Sequence, residues 1–322
     1  MLRILSQHRH NLLDTAYPFP EGTSRGEAYN PHLKELEALI QELRSIGAAR
    51  QTSPAQVAAA WAIAKGTLPM VGFGTWDVRG EAGKNAILTA LELGYRLIDT
   101  TQMYDNENIV GKAVHESGLP RQDIFLTTKL YRPSASYQKA RAGIEKSLNE
   151  LRTDYIDLLL IHEPYKNALE MYEALKEAYE AGTVRAIGIS NFGAKEYDRF
   201  LKHCGVIPTV DQVESHVYYP QLELKERLAR HGTQMQSWAS FTEGRRNIFA
   251  EPLLKQIGAK YGKTAGQVAL RYLTQNGIAV IPKSVHRDRM EQNLHSLDFT
   301  LEQEDLEQLG SLNEGRSLFG WY

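Results

Sequence analysis

Eight short apolar runs recur along the larger, C-terminal part of this 322-residue chain, and seven of them stop on or beside a side chain able to bond, titrate or stack. In order these are Asp99, Lys129, His162, the pair Ser190-Asn191, Gln212, Trp238 and Lys283. Tyr104 lies five residues beyond Asp99 in IDTTQMYDNE, so one loop can carry both. A phenol with an ordinary pKa of about 10 is a poor acid–base group at neutral pH unless a cation favours its phenolate. Lys129 is the candidate cation, with Asp99 to hold it. If the runs are neighbouring strands about 4.8 Å apart, His162 falls within reach and can polarise a carbonyl oxygen through a hydrogen bond. The same residues admit two other readings: a structural Asp99–Lys129 ion pair, or an aldolase in which Lys129 forms a Schiff base.

The elements that must position these groups follow from periodicity. The runs are PMVGFGT (69–75), YRLID (95–99), IFLTTK (124–129), YIDLLLIH (155–162), VRAIGIS (184–190), PTVDQVE (208–214), TQMQSW (233–238) and IAVIP (278–282). Between them lie stretches with helical spacing, such as Ile144, Leu148 and Leu151, or Leu169, Tyr172, Leu175 and Tyr179. Gly94 and Gly182 stand where helix C-caps are expected. Strands alternating with helices pair in parallel through right-handed crossovers, and eight such units in about 250 residues predict an α/β fold, a (β/α)8 TIM barrel. Reacting groups in such barrels project from the C-terminal ends of the strands, where all seven features fall.

Residues 1–68 lie outside that barrel, so the chain divides into a helical N-terminal extension and a barrel at 69–322. The extension is predicted to carry a charged helix from about His32 to Ile46 and an Ala-rich helix after Ser53. Shifted by 211, IGAARQTSPAQVAAAWAIAKG (46–66) overlays IGAKYGKTAGQVALRYLTQNG (257–277), with seven of 21 positions identical. The extension thus reads as a fragment-like repeat of a barrel's late helices. Helices packed on the barrel, an oligomer contact or a fusion scar are the roles open to it.

Bulk properties exclude several classes. A net charge of −2 gives no electrostatic reason to expect nucleic acid or an anionic membrane as partner. The single cysteine, Cys204, excludes an intrachain disulfide framework and a multi-cysteine metal site, and no metal is expected. No run of about 18 apolar residues exists, and the first residues lack a secretory core, so the cytoplasm is the default address.

From Pro69 to Leu318 the chain resembles the aldo-keto reductases, NADPH-dependent (β/α)8 enzymes that reduce aldehydes and ketones. The motifs GFGTW, IDTTQMYDNE, TTKL, DYIDLLLIHEP, AIGISNF, DQVESH and VIPKSVHRDRMEQN carry the resemblance, in order. It implies a catalytic tetrad of Asp99, Tyr104, Lys129 and His162, with Tyr104 the proton donor, Lys129 and Asp99 its tuning pair, and His162 orienting the carbonyl. It implies that Ser190, Asn191 and Gln212 hold the nicotinamide carboxamide and that Trp238 stacks on that ring. Lys283, Ser284 and Arg289 resemble the clamp on the 2′-phosphate, with Asn293 near the adenine. A guanidinium and an ammonium suit a phosphomonoester dianion, which favours NADPH over NADH. Asp211 departs from the usual Asn, and Gln292 from the usual Glu, which implies weaker cofactor contacts there. The N-terminal hairpin that plugs the barrel floor in this family is not recognisable before Pro69. The chain ends at Phe319-Gly320-Trp321-Tyr322, without a long tail, so an open pocket lined by Trp76 and Trp238 is expected to accept varied small carbonyls. A weakly active NADPH-binding sensor of the same fold is the alternative.

Overall fold

The computed structural model describes residues 70–320 and two isolated helical positions, Gln41 and Ser45. The expectations for the extension, its repeat and its contacts therefore lie outside the described residues, as do Trp321 and Tyr322.

All eight expected strands are present, each shorter than its apolar run except β3, which matches its run in length but is shifted by one residue. They are β1 (Phe73–Gly74), β2 (Leu97–Asp99), β3 (Phe125–Leu130), β4 (Leu158–Ile161), β5 (Ile187–Ser190), β6 (Val210–Glu214), β7 (Gln234–Trp238) and β8 (Ala279–Val280). They pair in parallel in chain order. A parallel bridge between Val71 and Val280 joins the two ends of the sheet, with Gly72 N–H donating to Val280 O at 2.7 Å. That contact closes the barrel. A side chain at Gly74 would sit 2.5 Å from Ile281 O, so the close approach of β1 to the end of β8 requires glycine there.

Ten helices are described: α1 (Gly80–Glu92), α2 (Glu107–Glu116), α3 (Tyr137–Leu151), α4 (Ala168–Glu180), α5 (Ala194–Leu201), α6 (Leu222–Arg230), α7 (Pro252–Tyr261), α8 (Ala265–Gln275), α9 (Arg287–Leu294) and α10 (Gln303–Gly310). Local chemistry sets their limits. Ser136 caps α3 by accepting from Lys139 N–H, and Thr264 with Gln267 forms a capping box on α8. Gly94 and Gly182 adopt positive φ, 107° and 78°, just past α1 and α4, as expected of C-cap glycines. Among the residues expected to share the buried face of α4, Tyr172 and Leu175 are fully buried, but Leu169 is 37% exposed. The buried face of α4 runs through Ala168, Met171, Tyr172 and Leu175, and Leu169 lies off that line. No helix among the described residues is long and apolar enough to cross a membrane.

Register sorts the strand residues into two layers. Paired residues of parallel strands point to the same side, so Lys129–Leu160–Gly188 form one row and Ser190–Gln212–Gln236 another. Leu158, Leu160, Ala186 and Val210 form a small separate cluster inside the barrel. Leu159, Ile161, Ile187 and Ile189 belong to the main core between sheet and helices. Asp211 pairs in register with Ile189 and Met235 and so faces the helices.

Candidate active site

At the C-terminal rim the register places Asp99, Lys129, Ser190, Gln212 and Gln236 on the inner face. Lys129 Nζ lies 2.5 Å from Asp99 Oδ1 and donates to Thr100 O at 3.0 Å, with both ion-pair partners 1% exposed. The other oxygen of Asp99 accepts from Gln212 Nε2 at 2.7 Å, and the same amide group donates to Gln236 Oε1 at 2.7 Å. Burial raises the Asp99 carboxyl against the pull of Lys129. The lysine is enclosed and paired, which is the opposite of what a Schiff-base amine needs. The aldolase reading is corrected on that ground.

Tyr104 sits in a short 3-10 turn, Gln102–Tyr104, directly after β2. Three neighbours hold that turn. Gln102 donates to Gly143 O at 2.8 Å and to Ser147 Oγ at 3.0 Å on α3. Asn106 donates to Thr75 O at 2.8 Å and accepts from Thr100 Oγ1 at 2.7 Å, tying the β1 and β2 loops together. Asp105 takes the left-handed conformation, φ 52°, to end the turn. The tyrosine ring is thereby set with its centroid 5.8 Å from Lys129 Nζ.

The expected lowering of the Tyr104 pKa needs correction. Burial pushes the phenol well up, and the negative charges of Asp99 and Glu243 push the same way. The physical reason is first that burial removes the water a phenolate needs, and then that the two carboxylates repel its charge, so the ammonium paired with Asp99 at 2.5 Å does not outweigh them. Burial and both carboxylates favour the protonated phenol. His162, just beyond β4, is held neutral: burial and the nearby Lys129 charge take its pKa down to about 3. Its Nδ1 lies 3.4 Å from Thr101 Oγ1, which donates to Lys129 O at 3.1 Å. Thr100, Thr101, Asn106 and Gln236 were not singled out in the sequence. A polar residue beside an apolar run is too common to mark them.

Next along the rim, Ser190 Oγ donates to Gln212 O at 2.6 Å. Asn191 adopts φ 64°, a left-handed conformation that Asn tolerates well, and this turns its amide back over the rim. Its Nδ2 donates to His162 O at 2.9 Å, and its Oδ1 accepts from Trp238 Nε1 at 2.8 Å. The indole is thus braced by the same residue that touches the histidine backbone. Gln212 keeps its amide oxygen uncommitted to any described residue, since both its bonds run from Nε2. An acceptor beside an aromatic plate suits a carboxamide on a flat ring.

The cationic cluster follows β8. Lys283 is half-buried, Arg289 on α9 is exposed, and neither makes an ion pair with a described residue. By contrast Arg287 pairs with Glu92 at 3.1 Å. Ser284 Oγ accepts from His286 N–H at 3.1 Å. Two cations without carboxylate partners and a loop hydroxyl fit a phosphomonoester. Asn293 is 7% exposed and lies beside the Tyr95 hydroxyl, facing α1. Trp76, half-exposed after β1, stands at the mouth.

Asp211 takes no part in this inner surface. Its Oδ1 accepts from Phe192 N–H at 3.5 Å, its Oδ2 has no partner, and it is fully buried on the helix side. The expected direct effect on cofactor contacts is corrected accordingly, since one step along a strand reverses the face.

The short C-terminal segment does reach the mouth, contrary to the open end expected. Phe319 lies edge-on to Trp238, ring centroids 4.9 Å apart.

Residues 71–314 match the sequence profile of the Aldo/keto reductase family. Glyoxal reductase of Bacillus subtilis (strain 168) is 36% identical over 249 residues, covering 77% of this chain and 90% of that protein. An aldo-keto reductase from a Medee basin deep-sea metagenome library superposes with a TM-score of 0.76 at 37% identity, over 78% of this chain and 93% of that one. A crystal structure of an aldo-keto reductase complexed with NADPH matches with a TM-score of 0.73 at 30% identity, over 78% and 86%.

Proposed function

This chain belongs to the aldo/keto reductase family, and from that premise we propose that it reduces small aldehydes and ketones to alcohols with NADPH. The observation that carries the reading is the gathering of Tyr104 and His162 around the buried Asp99–Lys129 pair at one rim, the Tyr104 ring centroid 5.8 Å from Lys129 Nζ and His162 bonded through Thr101 to the Lys129 backbone. A bound NADPH supplies the hydride that reaches the carbonyl carbon. Ser190, Asn191 and Gln212 would hold the carboxamide, Trp238 the ring face, and Lys283, Ser284 and Arg289 the 2′-phosphate, with Asn293 behind them.

The chain's own groups do the rest. His162 is neutral, so one ring nitrogen can donate a hydrogen bond to the carbonyl oxygen and polarise it without giving up a full proton. As negative charge grows on that oxygen, the Tyr104 hydroxyl passes its proton to it. Lys129, 5.8 Å from the ring centroid, is the cation beside the phenolate left behind and offsets part of the cost of forming that charge in a buried site. Asp99 and Gln212 keep the ammonium pointed at the ring. Solvent returns the proton to Tyr104. Glyoxal reduction by a relative makes compact dicarbonyls good first substrates, and Trp76 would border their pocket.

The test is Tyr104→Phe, followed at the NADPH absorbance band with glyoxal and a simple aldehyde. Removing the proposed proton donor is expected to cut kcat by a hundredfold or more, in the range of about 10²–10⁴ typical of positioned acid–base groups. NADPH binding should persist. Full turnover in that variant would refute the assignment, whereas intact binding without turnover in the unmodified chain would favour a cofactor sensor.

A further inference from the structure

Glu214 ends β6 on the same row as Trp238 and is completely buried, although no step of the reduction uses it. Its carboxylate is saturated with donors. Oε1 accepts from Leu318 N–H at 2.8 Å and lies 3.0 Å from His216 Nε2, while Oε2 accepts a short bond from the Ser317 hydroxyl. Two of these donors come from the C-terminal segment, more than a hundred residues away in the chain. Burial opposes ionisation, yet the bonds from His216, Ser317 and Leu318 hold the Glu214 carboxyl below its usual range.

The segment so fastened ends its turn on the cofactor plate. Ser317 Oγ accepts from the N–H groups of Phe319 and Gly320 at 3.0 and 2.8 Å, folding the chain tightly at Phe319. The Phe319 ring meets Trp238 edge-to-face, interplanar angle 66°. The Arg245 guanidinium covers Phe319 at 4.8 Å, and Arg246 bonds Glu314 at 2.6 Å, so the β7–α7 loop grips the same segment. Trp238 is therefore braced at its nitrogen by Asn191 and on its ring by Phe319.

We propose that Glu214 fastens the C-terminal segment as a clasp whose Phe319 sets the plane of the Trp238 indole, making Glu214 and Phe319 positioning residues for cofactor binding. The proposal rests on the reading of Trp238 as the surface against which the nicotinamide packs. A free tail would let the indole rotate about its side-chain bonds, and each productive encounter with NADPH would then have to select one orientation.

The experiment measures the Kd for NADPH by fluorescence, together with KM and kcat, for Phe319→Ala, Phe319→Tyr, Ser317→Ala, Glu214→Gln and Trp238→Ala. An aromatic pair of this geometry contributes enough that its loss should weaken NADPH roughly three- to tenfold. Phe319→Ala is expected to show that loss, Phe319→Tyr to restore binding, and Ser317→Ala to fall between them. Glu214→Gln should weaken NADPH comparably and add little on top of Phe319→Ala, because both act through one contact. Phe319 is only half-buried, so its variants keep the test valid even if Glu214→Gln does not fold. Wild-type Kd for Phe319→Ala beside a weakened Trp238→Ala overturns the clasp alone. Wild-type Kd for Trp238→Ala overturns the reading of Trp238 and the clasp with it.

Discussion

Asp211→Asn is the substitution whose effect the structure specifies most fully. Asp211 is completely buried between β6 and the helix layer, in register with Ile189 and Met235. One oxygen receives a long bond from Phe192 N–H at 3.5 Å and the other has no partner. Burial pushes the carboxyl well above its usual range, with that single N–H the only opposing influence. The folded chain thus keeps a proton that the unfolded chain, with an aspartate pKa of about 3.9, gives up. Between those two values the folded state binds more protons, so stability is fully present below the unfolded pKa and is lost as pH rises. The slope is about 1.4 kcal/mol per pH unit. Asparagine keeps the acceptor for Phe192 and has no proton to lose. Its unpaired amide N–H groups cost about 1–3 kcal/mol, but equally at every pH. Urea unfolding of both proteins at pH 5, 6 and 7 should therefore show the variant gaining on the wild type as pH rises, by at most about 1.4 kcal/mol per unit. A difference that stays constant with pH would refute the reasoning, since it would mean that Asp211 is ionised in the fold.

The His162 ring gives the opposite limb. With its pKa taken down to about 3 against about 6.5 unfolded, the unfolded chain binds the extra proton in that window, so stability falls as pH drops from about 6.5 towards 3. His162→Gln should flatten that acid limb in thermal melts, and the pH–rate profile of the unmodified chain should show no His162 titration between pH 5 and 8. Arg289→Ala should raise KM for NADPH about tenfold or more, the worth of a charge-assisted bond, while leaving KM for NADH nearly unchanged. A Cβ at Gly111 on α2 would sit 2.6 Å from the backbone of Glu150 and Leu151 on α3. Gly111→Ala is therefore expected to cost about 1–3 kcal/mol, read as a lower melting temperature with unchanged KM.

The strands were legible because a buried parallel strand must be apolar for its whole length, and a polar residue at its end stands out against that background. Their lengths were not. In YIDLLLIH the continuous strand is Leu158–Ile161, with Ile156 bridging Val184 apart from it, and the Asp157 carboxylate between them bonds Arg121 and the Leu126 N–H. Leu169 showed the matching limit for helices: spacing put it with Tyr172 and Leu175, but the buried face of α4 runs through Ala168 and Met171 beside them and leaves Leu169 at its exposed edge.

The residue types, their order and their places at strand ends are properties of the sequence alone, and they were enough to specify a barrel with Asp99, Tyr104, Lys129 and His162 at one rim. Which of them touch was decided only by closure and register. Gln212 reaches Asp99 across 113 residues, and Ser317 reaches Glu214 across 103. Asp211 turns away although its neighbour Gln212 turns in. Protonation was likewise a tertiary matter. Charge type is written in the sequence, but the field at Tyr104 depends on how closely Asp99 offsets Lys129 and how much water burial removes, and both are distances in the folded chain.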